Sequence, residues 1–324
     1  MTHDRSGSTG RLPWDPLAAA AGGLAVDAAA AEVVVALRGA GIRSILLKGP
    51  SLSVLLYDAE EPRPYSDVDL LVSGDELSSA ADVLRGLGYR ERAEREPSRI
   101  VEHATVWARA SDSMYVDLHR TLGGIDRNDV DPWHVLAADT DTMWVGSAEV
   151  EILSAPARAL HVALHAAVSE RAAAEKTKID LSRAIERLPP ETWEAAAALA
   201  ERLGAAATFA TGLRMQPAGA RLCAELGLPT ERSVETVMLA EGAPYASWTV
   251  SRLAATPGIG AKLRIVAPRL VPKPDFMRVW YPLARRGTAG LMMSYVQRLA
   301  WLVKATGPAL RAWRRARREA RRSD

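Results

Sequence analysis

Asp67 and Asp69 stand one residue apart in Tyr65-Ser66-Asp67-Val68-Asp69-Leu70-Leu71-Val72. The apolar run that follows reads as a buried β-strand. Side chains alternate along a strand, so both carboxylates leave one face while Val68 and Leu70 pack on the other. Two like charges held that close cost free energy unless a cation lies between them. Oxygen donors of this kind suit Mg²⁺ or Mn²⁺, which keep waters and take a substrate phosphate beside one or two carboxylates. A lone Asp-x-Asp is also common at solvated strand ends, so its meaning depends on what flanks it.

Met114-Tyr115-Val116-Asp117-Leu118-His119 reads as a second strand, with Tyr115, Asp117 and His119 on one face. An acid inside an apolar strand is expensive unless paired. The plain alternative for Asp117 is an ion pair with Arg120 or Arg43. If this strand lies beside the first, three carboxylates converge. Such a triad can hold two divalent ions about 3.5–4 Å apart, the clamp of an in-line phosphoryl displacement. Asp117 would then also help deprotonate an acceptor hydroxyl.

Leu46-Leu47-Lys48-Gly49-Pro50-Ser51 supplies a third piece, a strand running into a helix through a glycine turn. Free backbone N–H groups at such a start can meet phosphate oxygens, and Lys48 adds a cation. The spacing is not that of a P-loop. Ser51, Ser66, His119 and Arg63 are further candidate phosphate or nucleotide contacts, with a solvated loop as the plain alternative for Arg63. His161 and His165 are four apart and share a helix face. With no third ligand or adjoining Glu they read as packing against the α/β half or touching the nucleotide, not as a zinc site. Lys178 and Asp180 could line the cleft from the helical side, or form a surface salt bridge.

The elements that must position these residues follow from periodicity. A helix is expected over Leu24–Arg38, stopped by Gly39-Ala40-Gly41. Ile42–Leu47 is a short strand, Ser51–Tyr57 a short helix, and the charged loop Asp58–Pro64 leads to the Asp67 strand. A helix is expected over Asp75–Leu87, then paired strands over Ala104–Ala108 and Met114–His119, with a further hairpin around Val145–Leu153. From Ala155 onward the strand pattern stops and alanine-rich helical segments succeed one another. Mixed α/β followed by all-α predicts an α/β (α+β) unit with a mixed sheet and flanking helices over 16–154, and a helical domain closing the cleft over 155–290. Residues 291–324 form a C-terminal helix with a basic tail, and 1–15 are polar and expected to be disordered.

Taken together, Leu46-Leu47-Lys48-Gly49, Tyr57, Arg63-Pro64, Asp67-Val68-Asp69-Leu70-Leu71-Val72 and Val116-Asp117-Leu118-His119 resemble the uncharacterised nucleotidyltransferase family of the DNA polymerase β superfamily. The match is densest over residues 42–120 and extends to Leu160-His161, Leu164-His165-Ala166 and Asp180-Leu181. The resemblance implies that Gly49 is the turn opening the site, that Asp67 and Asp69 bind Mg²⁺, and that Asp117 completes the triad. The implied reaction moves a nucleoside monophosphate from an NTP to an acceptor hydroxyl, with pyrophosphate leaving. The acceptor stays open among a small molecule, a peptide, a protein and an RNA end. Pro50 after Gly49 departs from the Gly-Ser or Gly-Gly of the wider superfamily, and the gap to Asp67 is longer than in many members.

Two rival readings remain at this level. A strand-end Asp-x-Asp also binds the diphosphate of sugar nucleotides, which would make the reaction glycosyl transfer, and peptide tailoring is one form it could take. A non-catalytic nucleotide- or RNA-binding module could retain the same fold. The third acid and the strand–Lys-Gly–helix unit favour nucleotidyl transfer.

Composition limits the classes further. The 324 residues suffice for two domains with real cores, and 48% hydrophobic with 25% charged residues is an ordinary globular balance. A single cysteine, Cys223, excludes an internal disulfide and fits a reducing cytoplasm. The N-terminus lacks a signal-peptide layout, and Leu17–Leu37, carrying Asp27 and Glu32, reads as a soluble helix, so no integral membrane segment is expected. Net charge is only +2, yet Arg311, Arg314, Arg315, Arg317, Arg318, Arg321 and Arg322 crowd the C-terminus against Glu319 and Asp324. That end could attract RNA, another polyanion or a membrane surface, or simply be a solvated tail.

Overall fold

A computed structural model describes residues 14–92, 103–125, 131–168, 174–230, 234, 237–238, 242–244 and 246–321. Most of the polar N-terminal stretch expected to be disordered lies outside the described residues, as does Arg322.

Helix α1 spans Pro16–Gly39 and starts eight residues before the predicted Leu24. Asp15 caps it, its carboxylate accepting from the Leu17 and Ala18 N–H groups, with Pro16 preset for the first turn. The Gly22-Gly23 pair lies within the helix, and Gly23 leaves room for Tyr65: a Cβ there would sit 3.0 Å from the Tyr65 hydroxyl. That hydroxyl donates to Asp27 Oδ1 at 2.9 Å, binding α1 to the segment before Asp67. By length and composition α1 could cross a bilayer, but Val26, Ala30, Val33, Val34 and Leu37 are buried in the core.

The sheet contains β1 (Ser44–Leu46), β2 (Val68–Val72), β3 (Arg90–Glu91), β4 (Ala104–Arg109), β5 (Met114–His119), β6 (Thr140–Val145) and β7 (Ala148–Leu153). Their order is β3-β4-β5-β2-β1-β7-β6. The sheet is mixed: β2 runs parallel to β5 and β1 parallel to β7, while β1–β2, β3–β4, β4–β5 and β6–β7 are antiparallel. Helices α2 (Pro50–Leu56), α3 (Leu77–Gly86) and α4 (Pro132–Leu136) lie between strands. The α3 segment opens with a 3₁₀ turn at Gly74–Glu76, which accounts for the earlier predicted start.

Period-two alternation divides the core into two layers. Leu46, Val68, Leu70, Val72, Val116, Leu118, Val150 and Ile152 face α1 and α3. Ile45, Leu47, Leu71 and Leu153 face the opposite layer, built from α5 (Ala155–Val168), α6 (Ala174–Arg187), α7 (Pro190–Arg202), α8 (Ala206–Leu213) and α9 (Pro217–Glu225). Close helix contact in this layer depends on glycine: a Cβ on Gly212 would lie 1.9 Å from the Ala163 carbonyl oxygen. The described residues after Ala155 hold helices and no strand, ending with Ala246–Ala255, Ile259–Leu270, Pro274–Trp280 and Gly287–Ala320.

Candidate active site

Asp69 is directly opposite Asp117 in the parallel β2–β5 register, and Leu71 is opposite His119. Alternation therefore gives Asp69, Asp117 and His119 one common face, the face that Leu71 presents to the helical layer. Donor atoms of Asp69, Asp117 and His119 all lie within 4.8 Å of one another. Asp69 is 3% exposed and accepts from Lys48 Nζ at 2.8 Å, while His119 Nε2 lies 3.0 Å from the same oxygen. A buried carboxylate with two cationic or donor neighbours is satisfied, and without them it would be too costly to keep.

The electrostatics set the three acids apart. Burial pushes the Asp69 carboxyl up, but Lys48 and His119 outweigh it and hold that group well below the usual carboxylate range. Asp67 is raised, by burial first and then by the Asp69 charge. Asp117 is pushed up to about 6 by burial and by the negative charge of Asp69. Lys48 is raised: burial favours its neutral form, and Asp69, Asp67 and Asp117 together override that. The compact set of Asp69, Asp117 and His119 fits a divalent cation, because its carboxylates repel one another; Asp67 is not part of that set, though its charge reaches Lys48.

Lys48 reaches the acids through the turn that follows β1. Gly49 adopts φ +64° and ψ −122°, a backbone state that L side chains rarely take, and a Cβ there would touch the Tyr65 ring at 3.4 Å. The Leu47 N–H donates to the Asp69 carbonyl at 2.9 Å, so the turn is stitched to the acid-bearing strand. Ser51 is buried, and its hydroxyl turns back to the Leu47 and Lys48 carbonyls at 3.3 and 3.2 Å instead of facing the acids. Ser66 is exposed beside Asp67.

Sequence predicts Arg63 as a phosphate contact or a solvated loop residue, and the structure places it otherwise. It is 2% exposed, and its Nε and Nη2 donate to Asp180 Oδ1 and Oδ2, both at 2.9 Å. Asp180 also accepts from the Tyr57 hydroxyl at 2.7 Å. The surface salt bridge considered for Asp180 is thus a buried one with Arg63. Around it, Arg183 pairs with Glu61 at 2.6 Å and Arg187 Nη1 with Asp58 at 3.0 Å, so α6 clamps the whole loop before β2. The plain alternative for Asp117 also fails in part, since Arg43 pairs with Glu151.

His161 is buried and hydrogen-bonded to the Leu47 backbone, and its Nδ1 has no hydrogen-bond partner among the described residues. Burial and then Lys48 lower it to about 3, and the same causes, with His161 added, hold His165 well below its ordinary value. Both are therefore neutral rings beneath Lys48, packing edge-on with centroids 6.2 Å apart.

Two neighbours escaped sequence reasoning. Lys176 is half-buried beside Arg63 and feels the charge of Asp67; burial lowers it, and its Nζ donates to the Pro64 carbonyl at 3.4 Å. Lys178, the residue singled out from sequence, is exposed. Helical spacing held the signal: Lys176 lies four residues before Asp180 and shares its face, whereas Lys178 does not. His103 is the second, its ring 5.6 Å from that of His119 and lowered to about 4, chiefly by burial.

A family model described as "Uncharacterised nucleotidyltransferase" matches residues 16–218, which include every residue of the site. No curated protein is detectably similar in sequence. Among solved structures, the crystal structure of ANT(2")-Ia in complex with adenylyl-2"-tobramycin is 14% identical, covering 54% of this chain and 97% of that one, with a TM-score of 0.40. A nucleotidyltransferase-like antigenic protein from Paracoccidioides brasiliensis is also 14% identical, covering 57% and 92%, with a TM-score of 0.34. Likenesses this distant carry no weight for substrate or reaction.

Proposed function

The chain belongs to the uncharacterised nucleotidyltransferase family, and on that premise we propose a metal-dependent enzyme that moves a nucleoside monophosphate from an NTP to an acceptor hydroxyl. The observation that carries the reading is the direct pairing of Asp69 with Asp117 across parallel strands, with His119 completing a compact donor cluster.

In this reading Asp69 and Asp117, with Asp67 beside them, would hold Mg²⁺ or Mn²⁺, whose charge would neutralise that of the triphosphate. Lys48, paired with Asp69 at 2.8 Å and set by the Gly49 turn, would exchange that partner for a phosphate oxygen. Asp117 orients the acceptor hydroxyl and takes its proton. The acceptor oxygen bonds to the α-phosphorus, the bond from that phosphorus to the bridging oxygen breaks, and pyrophosphate leaves with the electron pair. His119 keeps Asp69 oriented through its 3.0 Å contact. The neutral His161 and His165 exclude water beneath Lys48 and line the nucleotide side, and Lys176 offers a second cation near Asp67. Positioning and charge neutralisation are what such chemistry asks of a protein.

The test is incubation with each labelled NTP and Mg²⁺ or Mn²⁺, with and without cell extract as a source of acceptor. Pyrophosphate release together with labelled acceptor supports the reading. NTP binding without turnover would instead favour a binding module, and release of a nucleoside diphosphate from a sugar nucleotide would favour glycosyl transfer.

A further inference from the structure

Helix Gly287–Ala320 carries two opposed stripes. Gly290, Ser294, Arg298, Ala309, Ala312 and Ala316 are buried along one side. At 3.6 residues per turn the other side is the line Met292, Val296, Leu299 and Val303, continuing past Pro308 as Arg314, Arg317 and Arg321. The four aliphatic residues are 63%, 60%, 45% and 75% exposed, and the three arginines are exposed as well. One face of one helix thus presents bare aliphatic surface for its first half and guanidinium groups for its second.

The helix Ile259–Leu270 repeats the first half of this pattern. It has no buried residue, and Ile259, Leu263 and Leu270 fall on one exposed face, with Val271 beyond and Lys262 at its edge. Charge in the region is one-sided: residues 246–321 contain sixteen lysines and arginines against two acids, Asp275 and Glu319. Exposed aliphatic stripes of this extent are uncommon on a free surface and mark a binding face.

We propose that residues 246–321 dock on an anionic lipid surface, with the Gly287–Ala320 helix lying in the interface. Met292, Val296, Leu299 and Val303 would enter the acyl boundary while Arg314, Arg317 and Arg321 meet lipid phosphates, the division of labour of an interfacial amphipathic helix. Charge complementarity selects the occupant. A second copy would bring sixteen cations against sixteen. RNA would match the arginines but gains little from aliphatic residues, since unpaired bases are held by aromatic stacking and hydrogen bonds.

The experiment is flotation of the full-length protein with phosphatidylcholine vesicles, with or without phosphatidylglycerol. The protein should float only with phosphatidylglycerol, and less so as salt is added. Arg314→Gln/Arg317→Gln/Arg321→Gln should weaken binding about a hundredfold, each arginine contributing near fivefold. Val296→Ser/Leu299→Ser/Val303→Ser keeps the charge and should still weaken binding by at least about tenfold. All six positions are exposed, so circular dichroism and melting of both variants should match the wild type. Undiminished flotation of the aliphatic variant would overturn the proposal, leaving diffuse cationic attraction only. So would RNA binding in the absence of flotation, or a dimer in solution that the aliphatic substitutions dissociate.

Discussion

Arg63 grips Asp180 through two parallel hydrogen bonds of 2.9 Å, and each side chain is only 2% exposed. The pair joins the loop that leads into the acid-bearing strand to helix α6. Removing one partner leaves an uncompensated buried charge, so Arg63→Met or Asp180→Leu alone should cost roughly 3–5 kcal/mol. The double variant should recover only part of that loss, because the buried Tyr57 hydroxyl that donates to Asp180 then loses its acceptor. Urea denaturation of the three variants checks this, and a double variant as weak as the two single losses added together would show that Arg63 and Asp180 are not energetically coupled.

Asp67→Asn and Asp117→Asn should each lower nucleotidyl transfer by at least about a hundredfold, the scale on which a positioned charge-stabilising group matters. Melting temperature should fall little or even rise, because both carboxyls are held above their usual range by burial and neighbouring negative charge. Retained turnover in either variant, with the fold verified, removes that acid from the site.

Gly49→Ala should destabilise by about 1–3 kcal/mol, because φ +64° with ψ −122° is strained for any side chain. The damage should reach function beyond stability. The turn holds Lys48 2.8 Å from Asp69, so the KM for NTP should rise in protein that is still folded at the assay temperature. Unchanged KM in such a sample would free Lys48 from the role assigned to it.

His161 gives a pH signature. Its folded-state value, about 3, lies below its ordinary 6.5, so between those limits the unfolded chain binds the extra proton. The stability it contributes is complete above pH 6.5 and is lost as pH falls toward 3, at up to about 1.4 kcal/mol per pH unit. His161→Gln cannot take that proton, so its stability profile should be flatter over this window. Denaturation midpoints at successive pH values compare the two, and parallel profiles would falsify the assignment.

Sequence alone makes the acids legible because carboxylates set by strand alternation into an apolar background must meet a cation or a donor to be kept there. The two acid strands do lie side by side, with Asp69 opposite Asp117. Arg63 could not be read this way: its partner Asp180 lies 117 residues on, and no local period links a loop to a distant helix. The predicted start of helix α1 falls short because its first turns, capped by Asp15 and opened by Pro16, carry few of the large apolar side chains that reveal a helical period. Strand β6 is only partly legible, since Thr140-Asp141-Thr142 at a sheet edge has the polarity of a loop.

Strand β2 lies fourth of seven, laced to β1 on one side and β5 on the other. Side chains rooted in such a segment have little freedom to drift, and sites built on strands are held more precisely than sites built on loops. Under the proposed function, the choice of acceptor would therefore fall to the loops and helices around the sheet, with Asp69 and Asp117 as the fixed floor beneath them.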